Sequence, residues 1–217
     1  VAALRALLPL CARPTGGLLS RVPQEARAVI EQWLDPTGTH DHEFIAELHL
    51  HTDGAARVPA GWPSTPAAAG WASVWVATTS SGASVLVGFL GGPVVLDEAS
   101  PNFTFAKLPT APVSELTACY WTFLLLAQPT VATALRGVAV FCWSDCLYAV
   151  QVIEGRWHAS SHVRLVHDLR ALLLRVRAYW TVQVVLGHIP GHAGIPGNEL
   201  ADVVAKDSVG GSLVFDG

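Results

Sequence analysis

Methionine is absent from this chain, even from its first position, which is Val1. That reads as an internal segment or a processed product of a longer polypeptide. Charge is scarce as well. Only 14% of the 217 residues are charged, against about 25% in ordinary globular proteins. A large apolar core is therefore available, and the surface must be rich in small neutral residues. Basic residues are the scarcer sign, 13 against 17 acids. A net charge of −4 argues against a protein that grips nucleic acid through a basic footprint alone. It leaves room for carboxylates that hold metal ions, because bound ions offset their charge. No stretch reaches transmembrane length without a charge, a glycine or a proline, and the apolar residues 1–10 lack a signal-peptide pattern. No membrane association is expected. The four cysteines, Cys11, Cys119, Cys142 and Cys146, fit reduced thiols of an intracellular protein, with nucleus and cytoplasm undistinguished. Cys142 and Cys146 with His188 and His192 spell C-x3-C and H-x3-H, but the gap between the pairs is far too long for a zinc finger.

What is present is concentrated at residues 188–202. An apolar run at 182–186 reads as a buried strand. Glycines and prolines at 190, 191, 194, 196 and 197 then turn the backbone repeatedly. Asn198 reads as the N-cap of a helix whose apolar positions Leu200, Val203 and Val204 follow at helical spacing. Glu199 and Asp202, three apart, share one face of that helix.

Upstream, residues 1–44 stand apart as an N-terminal segment or linker. Two short helices (3–8 and 24–34) and a turn-rich stretch at 35–42 read as the tail of a preceding domain or an ordered lead-in. His40 and His42 there could bind a metal, but a solvated linker is the stronger reading of this stretch. Residues 45–213 make up the main domain. Residues 45–53 alternate apolar and polar, a strand ending at Asp53-Gly54. After a loop rich in Pro, Ala and Gly (58–70), residues 71–77 and 84–90 form a hairpin around Ser80-Ser81-Gly82, with 93–96 extending it. A helix over 113–128 is stopped by Pro129, and a continuous apolar strand over 137–143 leads to Asp145. A short helix at 146–154 and a long amphipathic one at 162–179 follow. This order predicts an α/β fold: a mixed sheet, antiparallel meander plus parallel strands, flanked by helices. Function in open α/β sheets gathers at the carboxyl ends of strands, where Asp53 and Asp145 fall.

Four acids stand out: Asp53, Glu115, Asp145 and Asp202. Each alone has a bland reading. Glu115 and Asp202 fit helix starts through the macrodipole, Asp145 an N-cap, and Asp53 before Gly54 a turn. Together they flank apolar segments where lone carboxylates are costly to desolvate, and clustered carboxylates repel unless a cation neutralises them. Hard oxygen ligands suit magnesium or manganese, and two such ions can activate a water and stabilise the leaving oxygen of a phosphodiester.

The blocks His51-Thr-Asp-Gly-Ala55, Ser114-Glu-Leu-Thr-Ala118, Trp143-Ser-Asp-Cys-Leu-Tyr148 and Gly191-His-Ala-Gly-Ile-Pro-Gly-Asn-Glu-Leu-Ala-Asp202 resemble, in order, the four motif blocks of type 1 ribonuclease H. The last block is most similar to eukaryotic and retroelement versions. The resemblance implies a ribonuclease H-like fold with a five-stranded mixed sheet. It also implies an endoribonuclease that cuts the RNA strand of RNA–DNA hybrids with two Mg2+ ions (or Mn2+), leaving 5′-phosphate and 3′-hydroxyl ends. Carried over by motif, Asp53 bridges both metals, Glu115 and Asp145 complete one metal site, and Asp202 completes the other. His192 moves protons or aids product release on a mobile loop, Glu199 supports the site from behind, and Gly54 contacts substrate. The alternative is a degenerate, non-catalytic member that binds nucleic acid or a protein, and a DNA-cutting relative of the same fold is a further rival. Ala55 stands where the family has serine. No Lys/Trp-rich basic protrusion follows Asp145; Arg156, Arg164, Arg170, Arg175 and Arg177 either replace it in part or form a solvated helix face. His188 reads as a buried, hydrogen-bonded ring. A parent retroelement polyprotein that also carries a reverse transcriptase is the expected context, and help from another domain in holding the hybrid is expected with it.

Overall fold

The computed structural model describes residues 1–8, 11–57, 68–179 and 184–211. Strands β1 (Ile45–Arg57), β2 (Ala68–Thr79) and β3 (Ser84–Pro93) form an antiparallel meander. β4 (Ala139–Ser144) lies parallel to β1 on its free side, and β5 (Val184–His188) lies parallel to β4. The result is one five-stranded mixed sheet in the order β3-β2-β1-β4-β5. The helices are α1 (Ala2–Leu7), α2 (Gly16–Leu19), α3 (Gln24–Trp33), α4 (Ala111–Leu126), α5 (Pro129–Ala134), α6 (Leu147–Ile153), α7 (Val163–Tyr179) and α8 (Pro196–Ser208).

Two apolar clusters clamp the sheet. On one face Leu48, Leu50, Trp71 and Trp75 pack with Leu116 and Phe123 of α4 and Leu169 of α7. On the other, Val74, Val76, Leu86 and Phe89 pack with Leu200 and Val204 of α8 and with Ile30 of α3. β2 alternates between the clusters and is buried almost throughout, as an unbroken apolar strand should be when both faces are covered. The described parts of residues 1–44 pack against β3, α5 and α8. Ala12 and Phe89 exchange both backbone hydrogen bonds along the outer side of the edge strand β3, at 2.8 and 2.9 Å, which shields part of an edge otherwise open to pairing.

Several boundaries differ from the sequence expectation. β1 does not end at Asp53-Gly54 but continues to Arg57, because β2 still pairs with it after β4 has stopped. α4 starts at Ala111, so Glu115 lies in its second turn rather than its first. Pro129 does not merely end a helix; it opens α5 from the N1 position, where its missing N–H is harmless. Asn198 is not the N-cap of α8. Ile195 holds that place, Pro196 takes N1, and Asn198 is buried inside the first turn. Asp145 does not cap α6, whose N-cap is Cys146. β3 stops at Pro93, with only Val94 N–H reaching back to Ala69. The expected loop at 58–70 and the start of the strand expected at 182–186 lie largely outside the described residues.

Candidate active site

The parallel strands β1 and β4 make their last register pair at Thr52 and Ser144. Asp53 and Asp145 each follow directly, at the carboxyl edge of the sheet. Gly54 then sets how closely α4 can approach. A Cβ at this position would lie 2.3 Å from Glu115 N and 2.6 Å from Ser114 Oγ, so only glycine lets the first turns of α4 press against β1 and deliver Glu115 to Asp53. One carboxylate oxygen from each of Asp53, Glu115 and Asp145 consequently lies within 4.8 Å of the others.

Asp53 and Glu115 are 5% and 8% exposed. Burial pushes the Asp53 carboxyl up to about 8, and the negative charges of Asp145 and Asp202 push the same way, against the N–H of Gly54. Glu115 is raised well above the usual carboxylate range by burial first and then by Asp53 and Asp145. Asp53 Oδ1 accepts Gly54 N–H at 2.6 Å, while Glu115 Oε2 is buried with no hydrogen-bond partner. A buried carboxylate oxygen without a donor is costly, and three converging carboxylates repel each other. A hard divalent cation relieves both, so an oxygen-only donor set of this kind fits magnesium or manganese.

Asp202 is placed differently. It lies seven residues into α8 and outside the group of three, though close enough to Asp53 for its charge to be felt there. Its Oδ2 accepts Lys206 Nζ at 2.6 Å. The acid at the helix start, where the macrodipole favours it, is Glu199 instead. Buried to 5% exposure, Glu199 accepts Gly194 N–H at 3.0 Å through Oε1 and so ties the loop before α8 to the helix. Gly191 of that loop crosses Asp145, where a Cβ would come 2.8 Å from Oδ2. Between these glycines His192 is exposed and held at φ +52, a left-handed conformation that a side chain makes costly. His188 is exposed, not buried, since it ends the edge strand β5; its Nε2 meets Asp145 O at 3.2 Å.

Sequence reasoning passed over one residue of the site. Asn198 Nδ2 donates to Asp145 Oδ2 at 3.1 Å, holding that carboxylate from behind. Its helix-capping chemistry masked the role.

Among the arginines after Asp145, Arg164, Arg170 and Arg177 make local contacts. Arg170 donates to Val152 O and Trp157 O, Arg177 pairs with Glu154 through both of its terminal nitrogens, and Arg164 pairs with Asp168 and lies over Phe105. A concavity of about 1110 Å³, with one acid, Glu98, beside its basic groups, is nevertheless present. Phe105 and Lys107 before α4 line it with His162, Arg164 and His167 at the start of α7. The described cysteines are all free, and no described helix is long and apolar enough to cross a membrane.

The RNase H family model matches residues 102–209, a span holding Glu115, Asp145 and Asp202. No curated protein sequence matches. Among solved structures, the chain is similar to the foamy viral protease–reverse transcriptase in complex with RNA/DNA hybrid, with 15% identity and TM-score 0.52, covering 76% of this chain and 20% of that one. It is also similar to LC11-RNase H1, isolated from compost by a metagenomic approach, with 15% identity and TM-score 0.50, covering 76% of this chain and 99% of the other. The family match covers three acids and the sheet topology brings Asp53 to join two of them, so the chain belongs to the ribonuclease H family, with the type 1 fold.

Proposed function

We propose that this chain is a metal-dependent endoribonuclease that hydrolyses the RNA strand of RNA–DNA hybrids. The observation that carries the reading is the convergence of Asp53, Glu115 and Asp145 within 4.8 Å, two of them buried, with one carboxylate oxygen unpartnered. Asp53, Glu115 and Asp145 would hold one divalent ion, and Asp53 with Asp202 the other. Bound there, Mg2+ or Mn2+ supplies a water of lowered pKa and offsets charge on the leaving oxygen, giving 5′-phosphate and 3′-hydroxyl ends. The protein's own contributions are positional. Asn198 orients Asp145, Gly54 keeps α4 against β1, and Glu199 anchors the loop that presents His192. From that exposed perch the His192 imidazole would carry protons to or from the reacting oxygens. Gly54 also borders an open groove beside Asp202, which supports its reading as a substrate contact. The concavity lined by Lys107, His162 and Arg164 suits the phosphate backbone, and a hybrid is read by its groove shape and 2′-hydroxyls rather than by base sequence. The foamy viral neighbour, whose hybrid-bound chain is far longer, favours a parent polyprotein with a reverse transcriptase. Residues 45–213 would be the nuclease domain, with 1–44 its N-terminal lead-in, acting inside the cell.

The test is cleavage of an end-labelled RNA–DNA hybrid with Mg2+, with chelator, and by Asp145→Asn. The expected result is RNA-strand cutting that needs Mg2+ and is lost in the variant. A chain that binds the hybrid without cutting it would instead be the degenerate, binding-only form, and cutting of duplex DNA would indicate a DNA-acting relative.

A further inference from the structure

We propose that Lys206 is a positioning residue that competes with a divalent cation for Asp202 and thereby sets the affinity of the second metal site. The inference rests on the two-ion reading above. Among the described residues, Asp202 is the one of the four acids whose carboxylate is bonded by a basic side chain: Lys206 Nζ lies 2.6 Å from Oδ2, one helical turn along α8. An acid four residues before a lysine is the favourable order for such a pair. The Asp202 side chain is 18% exposed and the Lys206 side chain 54%, so the carboxylate is confined while the ammonium reaches solvent.

That asymmetry decides what an incoming ion meets. A cation bound through Asp202 must share the carboxylate with a positive charge tethered next to it, or displace that charge. Displacement is easy in this geometry. An ion pair with one half-exposed partner is weak, and the four-carbon lysine stem rotates freely. Both residues border the same groove of about 410 Å³, lined also by Gly54, Ala55, Arg57 and Asp207, which can receive the released ammonium. No basic side chain is tethered to the group of three acids among the described residues, and their converging carboxylates repel one another until a cation binds. The two sites should therefore fill in order, the Asp53–Glu115–Asp145 site first and the Asp202 site after it and more weakly.

Calorimetric titration of the intact chain with Mn2+ tests this. The unmodified protein should show two steps. Lys206→Gln should tighten the weaker step about three- to tenfold, by removing a competing charge, and leave the tighter step unchanged. Lys206→Arg should restore the unmodified behaviour. Asp202→Asn should abolish the weaker step, and adding Lys206→Gln to it should then change nothing, as expected of two residues acting through one contact. A weaker step that is unmoved or weakened by Lys206→Gln, in a protein that still shows both steps, overturns the proposal alone. If the unmodified protein takes up no Mn2+, the two-ion reading falls and takes the proposal with it.

Discussion

Asn198 is 2% exposed, with one amide hydrogen on Asp145 Oδ2 and its own Oδ1 buried and unpartnered. A residue that touches no reacting atom but aims a carboxylate that does is typically worth about 10–100-fold in activity. Asn198→Ala is expected to lower turnover on an RNA–DNA hybrid by about that factor with little change in KM, and to keep the far-ultraviolet circular dichroism of the unmodified chain. Unchanged turnover would mean that Asp145 needs no support. Gly54 makes the complementary case. A methyl group there meets the backbone nitrogen of Glu115 at 2.3 Å, and backbone cannot swing aside as a flexible side chain can. Gly54→Ala should destabilise the protein by about 1–3 kcal/mol in urea unfolding and cut activity beyond what the stability loss explains, since α4 carries Glu115 away from Asp53 as it moves. The three acids that converge, Asp53, Glu115 and Asp145, were legible as residue types next to apolar segments. The role of Asn198 was not, because asparagine is also a preferred cap. Only the position of Pro196 at N1 shows that the helix begins before it.

At the scale of elements, the reading succeeded where one periodicity ran unopposed. β2 is an apolar run buried by helices, and α7 has the amphipathic spacing of a helix lying on a core; β4, equally apolar and expected to be buried on both faces, is fully buried on one face only, with Phe141 and Trp143 half-buried beside His49 on the other. It failed at junctions where two signals compete. Pro129 is both a helix breaker and a good first residue of a helix, and the chain uses it as the latter. β1 outlasts its turn-like Asp53-Gly54 because pairing with β2 outweighs local turn preference. The docking of residues 1–44 was not legible either, since a short amphipathic helix does not name its partner surface. Its main anchor is Ile30 of α3, fully buried among Val74, Phe89 and Leu200, on the same helix α8 that carries Asp202. Ile30→Ala should therefore destabilise the whole protein by about 2–5 kcal/mol, seen as one lowered unfolding transition. An early, separate transition of the N-terminal segment, with the main one unmoved, would show that α3 contributes nothing to the sheet it covers.

At the scale of the whole molecule, the acid cluster sets how stability depends on pH. Asp53 is raised from 3.8 to about 8 by burial and by its acidic neighbours, and Glu115 is raised as well. A carboxyl raised by folding is protonated in the folded chain and ionised in the unfolded one. Its contribution is complete below about pH 4 and is lost as the pH climbs towards 8. His51 works in the opposite sense. Burial lowers it from 6.5 to about 4, so it stabilises the folded chain as the pH rises from 4 to 6.5 and adds nothing further above that. Glu43, lowered to about 2 by hydrogen bonds from Ser81 and His40, matters only in acid. The window between pH 6.5 and 8 thus belongs to the acid cluster and to the Val1 ammonium, which burial lowers from 8.0 and which acts in the opposite sense. In chelator, stability should fall across it by about 1.4 kcal/mol per pH unit for each proton that the folded chain alone retains. Asp53→Asn should flatten the slope and leave the variant more stable than the unmodified protein at pH 8. Magnesium, bound as proposed, would act on the same balance from the other side, because it would bind the ionised carboxylates of the folded chain and not the unfolded one. Its stabilisation, read as a rise in Tm, should be larger at pH 8 than at pH 6 and should shrink in Asp53→Asn. Equal magnesium effects at the two pH values, or in the two proteins, would place the ion somewhere other than among Asp53, Glu115 and Asp145.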